Sequence, residues 1–141
     1  MPSRDILDLC DDLKPLCRDF IAQCDKAGIT VILTTTYRSN MEQDALYCQG
    51  RSAPGKIVTK ARGGQSKHNY VLAKKPDSHA FDFAIAKQYK SPSAGLNWDT
   101  KHADWKKAIE IGEKIGLVSG SRWKFADYAH MELLSPTVPT S

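Results

Sequence analysis

The stretch GGQSKHNYVLAKKPDSHAFDFAI, from Gly63 to Ile85, decides the reading of this chain. Its last part, SHAFDFAI, alternates apolar residues with others and reads as a β-strand running into a core. Asp82 sits inside that strand between Phe81 and Phe83. A carboxylate held among apolar neighbours must be paired, protonated or bound to a metal. Two of the four histidines, His68 and His79, lie in the same stretch. In an extended strand His79 and Asp82 are three positions apart and point to opposite faces, which argues against His79 as the partner.

A second segment offers matching chemistry. In FADYAHMEL, Phe125 to Leu133, His130 and Glu132 fall on one face of a strand, and Asp127 lies three residues before His130 at the strand entrance. A histidine and an aspartate from one segment plus a histidine from the other make a two-histidine, one-carboxylate set. Catalytic zinc sites use three protein ligands of this nitrogen and oxygen type and leave a further position open. An extra carboxylate nearby then serves as general base. The spacing alone is a weak signal, because chains of this size commonly carry several histidines and aspartates.

The remaining elements are read outward from these two segments. Ile6 to Ala27 predicts a helix, with Leu9, Leu13, Leu16, Phe20 and Cys24 at helical steps, a split or kink at Pro15 and a stop at Gly28. ITVILTTTY predicts a strand. SNMEQDALYCQG predicts a helix opened by a Ser39–Glu42 capping box and closed at Gly50. RSAPGKIVTKARGGQSKHN and KQYKSPSAGLNW read as loops. DTKHADWKKAIEIGEKIG predicts a helix capped by Asp99 or Thr100, stopped by Gly116, with Trp105, Ala108, Ile109, Gly112 and Ile115 facing inward. YAHMELL reads as a last strand. This order, with long irregular loops around the middle strands, predicts an α+β fold. It forms one domain over residues 1–134, followed by a disordered polar tail over 135–141.

With 41% apolar and 26% charged residues, the chain has the composition of a water-soluble domain with its own core. Its 20 basic and 16 acidic residues leave a net charge of +4. That mild excess suits an anionic polymer, but no basic patch is interleaved with aromatics, so no nucleic-acid partner is expected. The N-terminal MPSRDILDLCDDLKPLCRDF has neither the apolar centre of a signal peptide nor twin arginines, and no stretch is long enough to span a bilayer. Synthesis in a host cytoplasm and no stable membrane anchor are therefore expected; a monomeric state is expected as well. Cys10, Cys17 and Cys24 recur every seven residues, a spacing for a buried helical stripe rather than for zinc; Cys48 stands apart, and no disulfide is expected.

The stretch TTTYRSNMEQDALYCQGRSAPGKIVTKARGGQSKHNY resembles the M15 zinc peptidases, specifically the phage and bacterial L-alanyl-D-glutamate endopeptidases. So do the later Ala-Phe-Asp-Phe at 80–83 and the pattern of Trp123, Phe125, Asp127, His130, Glu132 and Leu133. The likeness runs from Ile29 to Leu134, with several separate motifs in the right order. It implies a small antiparallel sheet flanked by helices, with a zinc site between a loop and the central strands. It implies Zn2+ held by His68, Asp82 and His130, with Asp127 as general base and then proton donor. Arg38 would stabilise the oxyanion or hold the substrate carbonyl. Ser66 and Gln43 would support the site by hydrogen bonds, Glu132 would orient a ligand histidine, and Tyr37 and Trp123 would stand beside the substrate. The implied substrate is the stem peptide of bacterial peptidoglycan, cut at the L-Ala–D-Glu bond. The implied setting is a phage or prophage endolysin that acts on the cell wall after holin-type release. A D,D-carboxypeptidase or dipeptidase acting on D-Ala termini is the alternative, and a non-catalytic zinc-containing wall-binding module comes third.

The chain departs from the family pattern in places. Thirteen residues separate His68 from Asp82, and VLAKKPD reads as an insertion, expected to be a mobile lid. SGSRW stands where the family carries Trp-Gly-Gly-Asp-Trp, and Ala129 stands where proline is usual. Arg122 is thus either a contact for a peptide carboxylate or a solvated surface residue. Arg51, Lys56, Lys60, Arg62, Lys67, Lys74 and Lys75 form either a solvated basic rim or a surface that meets wall carboxylates. Trp98, Trp105 and Trp123 are expected in the core, and His102 on the surface of the last helix.

Overall fold

The axis of the fold is strand β4 (Ala80–Gln88), as seen in a computed structural model that describes residues 1–134. Strand β1 (Val31–Thr35) runs antiparallel along one edge, with Val31 opposite Ile85 and Thr35 opposite Asp82. The other edge is shared. Strand β7 (His130–Glu132) pairs with the first residues of β4, placing His130 opposite Asp82, and β5 (Ser91–Asn97) pairs with the last ones. Strand β6 (Val118–Ser119) continues the sheet beyond β7. Every pairing is antiparallel, as the resemblance implied. The tail expected over 135–141 lies outside the described residues.

Helices α1 (Leu13–Lys26) and α3 (Ala103–Ile115) pack together over one face of the sheet. Phe20 of α1 lies 5.6 Å from Phe81 and 5.1 Å from Phe83, and Phe83 lies 5.1 Å from Trp105 of α3, ring centre to ring centre. Each of these fully buried aromatics contributes roughly 2–3 kcal/mol from area alone. Alternation along β4 then turns Asp82 to the opposite face. Cys17 and Cys24 are fully buried in the α1 stripe, Cys10 nearly so, and all four cysteines are free. Helix α2 (Asn40–Cys48) opens on the expected capping box, with the Ser39 hydroxyl accepting from the Glu42 N–H and the Glu42 carboxylate accepting from the Ser39 N–H. Among the described residues no helix is long and apolar enough to cross a membrane.

Several expectations need correction. The first helix is broken before Pro15, not at it. A 3-10 turn at Ile6–Asp8 ends where the backbone pairs with Ser78, Cys10 N–H donating to its carbonyl and Ser78 N–H to Asp8. Pro15 then falls in the first turn of α1, where its missing N–H costs nothing. KQYKSPSAGLNW is not a loop but a hairpin arm containing β5. The strand is made by backbone pairing along an edge, where Pro92 is tolerated and side chains need not alternate. The α3 cap is His102, whose Nδ1 accepts from the Asp104 N–H, rather than Asp99 or Thr100. Ile111 is buried under α3, whereas Ile109 and Ile115 are only partly so. Trp98 and Trp123 are substantially exposed, and only Trp105 of the three tryptophans is core.

The inserted stretch is a small hairpin of its own, β2 (Val71–Leu72) and β3 (Lys75–Pro76). Its two-residue turn puts Ala73 and Lys74 at φ of +50 and +67, the left-handed geometry that fits the twist of a tight hairpin. Tyr70 packs edge-on against His79 at its base, ring centres 4.6 Å apart, and the Asp77 N–H donates to the Tyr70 carbonyl.

Candidate active site

Three elements bring the predicted ligands together. A 3-10 turn at Lys67–Asn69 carries His68; the Ser66 hydroxyl accepts from the His68 N–H at 3.2 Å and the Asn69 side chain reaches back to the Ser66 N–H. Asp82 comes from the middle of β4, and His130 lies directly across from it on β7. His68 Nε2 is 3.2 Å and His130 Nδ1 is 3.1 Å from the same oxygen, Oδ1 of Asp82. The ligand atoms of all three residues lie within 4.8 Å of one another. Ligands around a tetrahedral zinc at about 2.0–2.1 Å sit about 3.3 Å apart, so two of the three separations already match. His79 is not part of the group; it faces Asp77 at 3.6 Å.

The outer nitrogens fix the two rings. His68 Nδ1 donates to the Thr36 carbonyl at 2.9 Å, which leaves Nε2 as the free lone pair. His130 Nε2 meets Glu132 Oε1 at 3.0 Å, and Glu132 Oε2 is held in turn by Lys67 Nζ at 2.5 Å. The Lys67–Glu132 pair spans 65 residues of chain and ties a residue of the expected basic rim to the site. The donor set of two imidazole nitrogens and one carboxylate, each supported from behind, fits a zinc ion.

The charges respond to one another. Burial would raise the Asp82 carboxyl, but the two imidazoles override it and hold it far below the usual carboxylate range. Burial would lower His130; its hydrogen bonds to the Asp82 and Glu132 carboxylates instead raise it to about 9. Burial would raise Glu132, and His130 and Lys67 bring it below its ordinary value. Asp127 is raised, first because protein crowds its carboxyl and then because the Asp82 charge opposes its ionisation.

A cleft of about 710 Å³ runs past this group, lined by Arg38, Ser66, Lys67, His68, Asp82, Asp127, His130 and Glu132, with Ile57, Val58, Trp123 and Phe125 as apolar wall. The Trp123 ring stands 4.9 Å from the His130 ring. Arg38 reaches to 3.6 Å from Asp82 Oδ2 and donates through its other terminal nitrogen to Gln43 Oε1 at 2.9 Å. Gln43 is fully buried behind it and donates to the Ala61 carbonyl at 2.8 Å. Tyr37 is not brought to the cleft; its carbonyl accepts from the Ser3 N–H. Arg122 points to α3 and pairs with Glu113. None of the inserted residues from Val71 to Asp77 lines the cleft. The apolar wall from Ile57 to Ala61 went unread in the sequence, because a loop without periodicity does not announce which way its side chains face.

No family model matches the chain. It is similar to the peptidoglycan L-alanyl-D-glutamate endopeptidase CwlK of Bacillus subtilis, with 38% identity over 135 residues, spanning 87% of this chain and 74% of that protein. Its fold is similar to that of the crystal structure of the Serratia marcescens L-Ala D-Glu endopeptidase ChiX, at a TM-score of 0.62 and 14% identity, covering 95% of this chain and 89% of that one. At that identity the second likeness speaks for the α+β fold alone.

Proposed function

The chain belongs to the M15 peptidases, in their L-alanyl-D-glutamate endopeptidase branch, and on that premise we propose that it hydrolyses the L-Ala–D-Glu bond of bacterial peptidoglycan stem peptides in a zinc-dependent reaction. One observation carries the reading. His68 Nε2 and His130 Nδ1 converge on Asp82 Oδ1, at 3.2 and 3.1 Å, in a cleft that also presents Asp127 and Arg38.

His68, Asp82 and His130 would hold a zinc ion, and the chemistry supplied there would be that of a Lewis acid toward the peptide carbonyl and water. The chain's own groups supply the rest. Asp127 takes a proton from the attacking water and hands it to the amine of D-Glu as the C–N bond breaks. Its raised pKa suits a group that must both accept and release a proton. Arg38, already fixed by Gln43, faces the charge that develops on the carbonyl oxygen without having to reorganise. Glu132 and Thr36 keep the two imidazoles turned inward. All these groups come from a single chain, so the site is complete without a second copy.

Stripping and reloading zinc tests this directly. Solubilisation of purified peptidoglycan is expected to stop with a chelator, return with zinc and be absent from Asp127→Ala. Activity that survives complete chelation would sink the zinc-dependent reading. Release of free D-Ala instead of an internal cut would move the chain to the D,D-carboxypeptidase alternative.

A phage or prophage endolysin, made in the cytoplasm and admitted to the wall by a holin-type opening, is part of the same proposal; its support is the likeness to a peptidoglycan endopeptidase, which makes the wall the target. Expression together with a holin should lyse cells, and expression alone should not. Lysis without the holin would contradict that route.

A further inference from the structure

Beside Asp127 the cleft opens into a side recess of about 250 Å³, shared between the loop at 58–61 and the segment at 123–127. Val58, Ala61, Trp123 and Phe125 give it apolar walls. Lys60 stands at its rim, with Nζ 5.7 Å from the centre of the Phe125 ring. Two further cations line the main cleft, and both are engaged: Arg38 with Gln43 and Asp82, Lys67 with Glu132. Among the described residues, Lys60 forms no ion pair, and Asp127 is the carboxylate that shares the recess with it.

Resting on the endopeptidase reading, we propose that this recess receives the D-Glu on the leaving side of the scissile bond and that Lys60 recognises its spare carboxylate. The side follows from the chemistry. Asp127 must stand next to the leaving amine to protonate it, so the recess that opens at Asp127 receives the residue that owns that amine. A glutamate joined to its neighbours through its amine and one carboxyl group keeps a second carboxyl free. Its two methylenes suit the apolar walls, and its free carboxylate enters such a recess only against a cation. Lys60 is thus a specificity-determining residue. It favours stem peptides in which this carboxyl is ionised over those in which it is a carboxamide.

The test compares two synthetic stem peptides that differ only in that group, a free carboxylate or a carboxamide on the residue after L-Ala, as substrates of the zinc-loaded protein. The expected kcat/KM ratio favours the carboxylate by about fivefold at low salt, the size of an exposed ion pair, and shrinks as ionic strength rises. In K60Q the ratio should fall to about one, and in K60E it should invert. Because each variant is read as a ratio of two substrates, a general loss of folded protein cancels. The same order should appear without turnover, in NMR titrations of the metal-free protein with the two amine-terminal product peptides. A ratio unchanged in K60Q overturns the assignment of Lys60. Failure of the unaltered enzyme to cut either peptide overturns the endopeptidase reading itself, and the proposal with it.

Discussion

The His68 Nδ1–H donates to the Thr36 carbonyl oxygen at 2.9 Å. A carbonyl can only accept, so this bond places a proton on Nδ1, and in the neutral ring Nε2 is then the lone pair available to a metal. The residue just past β1 thereby orients a side chain more than thirty positions away. His130 is set from the opposite side, by Glu132.

Removing that support should weaken metal binding without removing a ligand. Glu132→Gln is expected to lower zinc affinity by about 10- to 100-fold, the usual cost of losing an outer partner. Competition with a chromophoric chelator reads it. Affinity equal to that of the unaltered protein would show that Glu132 does not orient His130.

Asp127→Asn should separate activity from stability. Loss of the base is expected to lower kcat by roughly 10²- to 10⁴-fold while zinc stoichiometry is kept. The carboxyl is opposed by crowding and by the Asp82 charge, so the neutral amide should also raise the melting temperature of the metal-free protein at neutral pH. The residue is open to the cleft, and solvent screening limits the gain to no more than about 4 °C. A variant that is inactive and also less stable would contradict this assignment.

The metal-free protein should lose stability toward both alkali and acid. His130 is raised from 6.5 to about 9 on folding, so its contribution is complete below about pH 6.5 and is lost as pH rises through about 9. Cys17 and Cys24, pushed up to about 12 by burial, extend the loss above pH 9. Asp82 acts at the other end: its lowered value stabilises above the ordinary carboxylate range and is lost as pH falls. Thermal melts in chelator should therefore peak between about pH 5 and 6.5. A melting temperature that climbs from pH 6.5 to 9 would refute the pairing of His130 with the two carboxylates.

Gly120 is a packing constraint on the catalytic segment. A Cβ there would lie 2.5 Å from the Asp127 carbonyl oxygen and 3.1 Å from His130 Cβ, and the Asp127 N–H donates to the Gly120 carbonyl at 2.9 Å. Backbone cannot yield as a side-chain tip can. Gly120→Ala is expected to destabilise by about 1–3 kcal/mol and to lower kcat, because Asp127 moves with the strain. Chemical denaturation and steady-state kinetics measure the two effects; an alanine variant of normal stability and rate would show the contact to be soft.

Much of the site was legible because strand parity is a strong rule. It separates His68 from His79 as partner of Asp82 and puts His130 and Glu132 on one face, and both readings agree with the geometry. The helices at α1, α2 and α3 were legible from periodicity and stops, though the α3 cap was not, since histidine is an uncommon acceptor there. Strand β5 was hidden because its pairing is made by backbone groups that Ser-Pro-Ser-Ala-Gly does not advertise. The Lys67–Glu132 pair and the wall from Ile57 to Ala61 join residues distant in sequence, and no local pattern records them.

The central claim is that His68, Asp82 and His130 arm Asp127 to cut one particular bond. Mass spectrometry of the new ends formed when the zinc-loaded protein digests purified peptidoglycan tests it most directly. The account predicts a new amine on D-Glu and a matching C-terminal L-Ala, both abolished by Asp82→Asn. New ends at any other bond, or the same ends from the Asp82→Asn protein, would contradict it.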